Sequence, residues 1–261
     1  MINPVTGDAC GKGNRMARYD FRTQRLFVTG GLGAGAQVNL ANDQVHYLRN
    51  VLRLGPGARL LLFNGRDGEW LAEIADIGRH DCELSLIEKT RDQTPACDLH
   101  YLFAPLKRAR MDFVVQKATE MGASLLQPVM TGRTVAERVK PERMRANAIE
   151  AAEQCGILSV PEIGAPVGLE ALIAAWDPAR ALIWCDEDAQ GQGPLRSLAG
   201  VRRGPLGVLV GPEGGFSPQE RELLSRLPFT LAISLGPRIL RADTAAIAAL
   251  ALVQAALGDL A

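Results

Sequence analysis

From Arg25 to Lys89, hydrophobic and polar positions alternate over short runs. RLFV (25–28), AQVNL (36–40), ARLLLFN (58–64), WLAEIADI (70–77) and CELSLIEK (82–89) are separated by Gly and Asp turns such as GPG and GRDGE. Such spacing predicts short strands curling into a small barrel. One helical segment, DQVHYLRNVLRL (43–54), interrupts them. After Asp98 the pattern becomes strand and helix in turn: LHYLFAPL, RMDFVVQKATEMG, LLQPVM, PERMRANAIEAAEQCG, LEALIAAW, ALIWC, GVLV, SPQERELLSRL, TLAISL and DTAAIAALALVQAAL. This alternation predicts an α/β unit, a mostly parallel sheet with helices on both faces and a ligand site at the carboxyl ends of its strands. The polar, proline-bearing stretch 88–98 separates the halves, giving domains at 16–92 and 98–261. Residues 1–15, polar and glycine-bearing, are expected to be disordered.

Two loops of the second half invite chemistry. GVLVGPEGGFSPQE (207–220) reads strand, glycine loop, helix, with Ser217 and Glu220 spaced as a capping box. A loop of this kind commonly holds phosphate at a helix N-terminus, but Glu213 would repel an anion and no Gly-Lys-Ser/Thr follows. TLAISLGPRILRADTAAIAAL (230–250) repeats the arrangement: a strand, Gly236-Pro237, the apolar pair Ile239-Leu240, then a helix. If the two strands are neighbours in a parallel sheet, both loops close on one ligand. Their glycines, apolar side chains and scarce positive charge suit a neutral purine with its ribose. GLGAGA (31–36) imitates a dinucleotide fingerprint, yet the strand-like QVNL follows it where a helix is required. A hairpin turn is expected there.

Composition narrows the classes further. The 261 residues are 47% hydrophobic and 22% charged, as in globular proteins. Lys plus Arg equals Asp plus Glu, 29 each, so a nucleic-acid surface must be a local patch. Five scattered cysteines and three isolated histidines show no metal-ligand spacing, and no metal is expected. An N-terminus without an apolar core and the absence of a span-length apolar run imply no membrane association and a cytoplasmic location.

The pair LVGPEGGFSPQE and SLGPRILRADTAAIAAL resembles the C-terminal signature of the bacterial 16S ribosomal RNA uridine-N3 methyltransferases of the RsmE type, members of the knotted SPOUT methyltransferases. APLKRARMDFVVQKATEMGA, AIEAAEQCG and HYLRNVLRLGPG extend the likeness to nearly everything from Arg25 onward. The resemblance implies a C-terminal SPOUT α/β trefoil-knot methyltransferase domain, an N-terminal PUA-like RNA-binding β-barrel domain and a homodimer acting on 16S ribosomal RNA or the small ribosomal subunit. It implies S-adenosylmethionine as cofactor, lined by Leu209, Gly211, Gly214, Leu235, Gly236, Ile239 and Leu240, mostly through backbone. This chain has Arg241-Ala242-Asp243-Thr244 where the family commonly has Arg-Thr-Glu-Thr, and Ile157 where an arginine is usual.

The implied reaction is methyl transfer to N3 of a uridine that must be unpaired or flipped. Arg241 would stabilise charge on the carbonyl oxygens, Asp243 would take the N3 proton or cap the final helix, and Glu213 would face substrate or bond loop N–H groups. Arg25, Arg49 and Arg53 are candidate RNA contacts from the first half, with Arg49 and Arg53 four apart on one helix face. Lys107, Arg108 and Arg110, directly after a strand, and Arg133 are those of the second half. A SPOUT ribose 2′-O-methyltransferase and a non-catalytic RNA-binding assembly factor are the alternative readings.

Overall fold

A computed structural model describes residues 22–135, 138–189 and 193–260; residues 1–15 lie outside the described residues. The described residues divide into two units: one running to Pro95 and including Ile149–Val160, the other comprising Ala96–Ala148 and the residues from Pro161 onward.

The first unit holds β1 (Arg25–Phe27), β2 (Gln37–Asn39), α1 (Asn42–His46), β3 (Arg59–Phe63), β4 (Glu69–Ile77) and β5 (Cys82–Arg91). Its sheet runs in the order β1-β3-β4-β5-β2, with β1 parallel to β3 and the other pairs antiparallel. Leu26 and Val28 share one core with Val38 and Leu40 from the opposite edge, so the sheet curls. Among the described residues β1 and β2 do not pair, and the expected barrel is a half-barrel. The glycines of 31–36 form a turn between these two edges, not a hairpin. On the other face Phe27 and Phe63 meet edge to face at 5.5 Å and pack with Ala152 and Leu158 of the returning segment. Both faces of β3 are therefore covered, which is why it reads LLLF without alternation.

The helix expected over 43–54 is shorter. It passes after His46 into a wider turn at Tyr47–Val51, closed by Leu52 N–H donating to the Tyr47 carbonyl five residues back (3.0 Å). Val45 and Leu48 anchor this turn in the core. Arg53 follows with φ 56°, outside the helix, so Arg49 and Arg53 do not share a helical face.

The second unit holds β6 (Leu99–Phe103), α2 (Arg108–Glu120), β7 (Leu125–Met130), β8 (Glu162–Ile163), β9 (Val167–Gly168), α4 (Leu169–Ala174), β10 (Ala181–Cys185), α5 (Pro194–Leu198), β11 (Leu206–Val210), α6 (Pro218–Ser225), β12 (Thr230–Ile233) and α7 (Ala242–Leu257). Residues of α3 (Pro141–Cys155) belong to both units. The strands run β12-β10-β11-β6-β7-β8, all parallel, and β9 adds to the far end of β7. Pro128, which has no N–H to donate, stands where β7 changes partner, from β8 opposite 125–126 to β9 opposite 129–130.

Side chains alternate across this sheet. Leu102, Leu182, Trp184 and Leu209 pack with Leu169, Phe216 and Leu224 from the α4 and α6 side. α7, rich in alanine and therefore able to approach closely, packs against β11, α2 and α5. Its one buried polar residue, Gln254, is satisfied: it donates to the Met121 carbonyl (2.7 Å) and accepts from Asp259 N–H (3.2 Å). The expected capping box is present in α6: Glu220 N–H donates to Ser217 Oγ (3.2 Å), and Ser217 N–H to Glu220 Oε2 (2.8 Å).

Candidate functional site

Three strand ends meet at one pocket. The two strands whose loops carry the motifs are not neighbours: β10 stands between β11 and β12. A third loop, Cys185-Asp186-Glu187, therefore joins the wall with the residues after β11 and β12 and the start of α7. The empty space is about 830 Å³, part of it open to solvent.

Six of the seven proposed cofactor positions line it: Gly211, Gly214, Leu235, Gly236, Ile239 and Leu240. Leu209 does not; its side chain is in the opposite-face core, and the next residue, Val210, reaches the pocket instead. Alternation along β11 decides this, since neighbours point to opposite faces. A Cβ on Gly211 would lie 2.9 Å from the Phe216 ring, so the residue must be glycine for the backbone to border the space. Gly236 has φ 105°, a conformation glycine alone adopts without strain. Ile239 is 91% exposed, an apolar side chain offered to the pocket rather than to the core.

One edge is acidic. Asp186, Glu187 and Asp188 surround Arg221, which meets Asp186 at 3.1 Å and Glu187 at 2.5 Å and also pairs with Asp188. Burial pushes the Asp186 carboxyl above its ordinary range, against the backbone N–H of Asp188 and the charge of Arg221. Burial also lifts the Cys185 thiol to about 12, so this cysteine is no nucleophile. The acidic loop was not singled out in the sequence; its signal was DED directly after the strand ALIWC.

The proposed catalytic acids gather around one guanidinium. Glu213 bonds Arg110 of α2 rather than loop N–H groups, and Asp243 lies 3.9 Å from the same guanidinium. Asp243 is not the N-cap of α7; Arg241 occupies that position, and Asp243 in the first turn accepts from Thr244 N–H (2.9 Å). Arg241 is exposed beside the pocket residues Leu240 and Ala242.

The RNA candidates separate. Arg25 is 4% exposed, and its Nε donates to Glu69 (2.8 Å), which Arg91 (2.6 Å) and Thr90 (2.8 Å) also hold. Burial raises the Glu69 carboxyl, but hydrogen bonds from Arg91, Arg25 and Thr90 outweigh it and leave the pKa lowered. Arg25 thus fastens β1 to β4 and does not face RNA. Arg49 is exposed and donates to the Gly78 carbonyl (2.8 Å), and Arg53 is exposed. Lys107, Arg108 and Arg110 do not follow the strand directly: β6 ends at Phe103, Lys107 is the N-cap of α2, and both arginines lie in its first turn. Arg133 is exposed while donating to the Gly214 carbonyl (2.7 Å), and Gly132 N–H reaches Glu220 (2.7 Å). These two bonds tie the segment after β7 to the glycine loop.

Residues 92–254 match the RNA methyltransferase domain model and residues 40–87 the RNA methyltransferase PUA domain model. A ribosomal RNA small subunit methyltransferase E of Rickettsia conorii is 33% identical, over 88% of this chain and 94% of that one. Among solved structures, the chain superimposes on a ribosomal RNA small subunit methyltransferase E from Neisseria gonorrhoeae bound to S-adenosyl methionine, with a TM-score of 0.80 at 27% identity over 92% of this chain and all of that one. A Legionella pneumophila methyltransferase in complex with the same cofactor gives a TM-score of 0.79 at 31% identity, over 91% and 99%.

Proposed function

From a chain that belongs to the RNA methyltransferase family, with the curated ribosomal RNA small subunit methyltransferases E as its relatives, we propose methylation of N3 of one uridine in 16S ribosomal RNA. The enzyme is an S-adenosylmethionine-dependent methyltransferase of the SPOUT α/β class. The observation that carries the assignment is the convergence of the three loops on a glycine-lined, apolar pocket flanked by Arg110, Glu213 and Asp243.

The pocket fits the cofactor on its own chemistry. Gly211 and Gly236 let backbone approach a flat ring, Val210, Leu235, Ile239 and Leu240 supply apolar walls, and Asp186 and Glu187 set carboxylates at one edge, where positive groups are favoured. Bound there, S-adenosylmethionine supplies a methyl group activated by a sulfonium. The residues of this chain orient the uracil, remove its N3 proton and stabilise the charge left on its carbonyl oxygens. Asp243 is our candidate base, Arg110 the cation that holds Asp243 and Glu213 together, and Arg241 the group facing the oxygens.

Residues 16–92 act as the RNA-binding domain and 98–261 as the methyltransferase domain, as a homodimer. In support, α2 exposes Phe113, and Ile247 and Leu252 of the adjoining α7 are only part-buried. Incubation of 16S ribosomal RNA with protein and cofactor, followed by mass analysis of nucleosides, is expected to yield 3-methyluridine. Ribose-methylated nucleoside instead, or RNA binding without any methylation, would overturn the reading.

A further inference from the structure

The first turn of α2 is a partition. Arg110 points to Glu213 and the cofactor pocket. Arg108, Met111 and Asp112, spaced i, i+3 and i+4 and so on one helical face, line a second pocket of about 770 Å³ shared with the start of α3. Arg110 stands about 200° around the helix from Arg108, at 100° per residue, so the two pockets lie on opposite sides of one turn.

This second pocket is built for an anion with a flat apolar part. Leu106 and Met144 are buried in its floor, and Met111 is half-buried beside them. Asp112, the one acid among its described lining residues, is engaged: Arg143 donates twice (2.7 and 2.5 Å) and Asn147 once (2.7 Å), and the charge of Arg108 also acts on it. That pair cancels itself. Arg108, Arg138 and Lys140 remain, all exposed on the rim, and none makes an ion pair or side-chain hydrogen bond among the described residues. Among the described residues, four cations and one acid line this pocket, an excess of three positive charges in a chain of zero formal net charge.

We propose that this pocket holds a nucleotide of the RNA strand flanking the methylated uridine, its phosphate on Arg108, Arg138 and Lys140 and its base against Met111 and Met144. The proposal rests on the RNA methyltransferase reading. A base drawn out of its stack leaves its neighbours unstacked, and thioether sulfur is a favourable contact for an aromatic ring. Cations position the backbone without reading sequence. An acidic protein segment would satisfy the cations equally, but the methionine floor and a location one helix turn from the methyl-transfer pocket favour the substrate strand.

The test uses the full chain with Arg138→Gln and Lys140→Gln combined; both side chains are exposed, so the fold is retained. Binding of a 16S ribosomal RNA transcript is measured from 50 to 200 mM salt, with cofactor affinity by calorimetry as the control. We expect the slope of log affinity against log salt to fall by about 0.7, the loss of one single-strand phosphate contact, with cofactor affinity unchanged. Met111→Ala is expected to raise the KM for RNA several-fold at constant kcat. If the double variant keeps the parent slope while the parent methylates RNA, the pocket does not hold RNA and the proposal is overturned; a protein occupant would give this result. If the parent neither binds cofactor nor methylates, the functional reading fails and this proposal falls with it.

Discussion

Glu153→Gln should make the first unit more stable at neutral pH and leave it unchanged in acid. Glu153 is half-buried at the end of α3 and accepts the Phe27 N–H at 2.8 Å. Burial, with repulsion from Glu150, lifts its carboxyl from 4.5 to about 7, against the lowering effect of the Phe27 bond. A raised acid favours the folded state when protonated. Its contribution is therefore full below pH 4.5, declines as the unfolded chain ionises first, and is gone above about 7. At 1.36 kcal/mol per pH unit that interval has a ceiling of about 3 kcal/mol, which partial exposure reduces to roughly 1–2 kcal/mol. Glutamine keeps an oxygen to accept the Phe27 N–H and carries no charge to desolvate. Urea unfolding followed at the Phe27 amide resonance, at pH 4.5 and pH 8, should show no difference between parent and variant in acid and a variant advantage of that size at pH 8. In the folded parent, the Phe27 shift should itself titrate near pH 7. Equal midpoints at both pH values, or a Phe27 shift that ignores pH, would refute the burial argument.

S-adenosylmethionine at a hundredfold over its Kd should stabilise the protein by about 2.7 kcal/mol, seen as a rise in Tm. Gly236→Val, which forces a β-branched residue to φ 105°, should abolish the rise; a retained shift would place the cofactor elsewhere. Asp243→Asn should keep Tm and the cofactor shift yet lose at least tenfold in single-turnover methylation, because a general base is typically worth ~10²–10⁴ while asparagine retains the oxygen that accepts Thr244 N–H; parent-like rates would leave the proton to another group. Glu69→Ala should destabilise by more than about 1 kcal/mol, since it removes the buried carboxylate that holds both Arg25 and Arg91. Because the Glu69 pKa is lowered, the stability it provides should be lost in the parent as pH falls below the ordinary carboxylate range. Arg25→Ala should lower stability without changing the salt dependence of RNA binding, and a flattened slope would return Arg25 to the RNA surface.

Much of the layout was legible in residue patterning, and the failures have identifiable causes. Strands such as LLQPVM and ALIWC, and the Ser217–Glu220 cap, depend on local rules and appear where those rules put them. Strand order in a parallel sheet is set by crossovers, which no local pattern records. The insertion of β10 between β11 and β12, and with it the acidic loop, was therefore invisible. A strand covered on both faces is apolar throughout, so the sequence does not tell that the Leu209 side chain joins the core while Val210 borders the pocket. Arg25 looks like any arginine until the buried Glu69, forty-four residues on, is placed beside it. β8, β9 and α5 are too short for periodicity to register.

The first unit is not contiguous in the chain: its sheet is complete by Arg91, but Ala152 and Leu158, which cover Phe27 and Phe63, come some sixty residues later. During synthesis at ~5–20 residues per second, translation of the half-barrel is finished roughly 3–13 s before its lid of aliphatic side chains is translated. For that interval two phenylalanines face water or a chaperone. A fragment ending near residue 95 would stay in that condition permanently, so the nascent chain commits its N-terminal unit only after starting on the next.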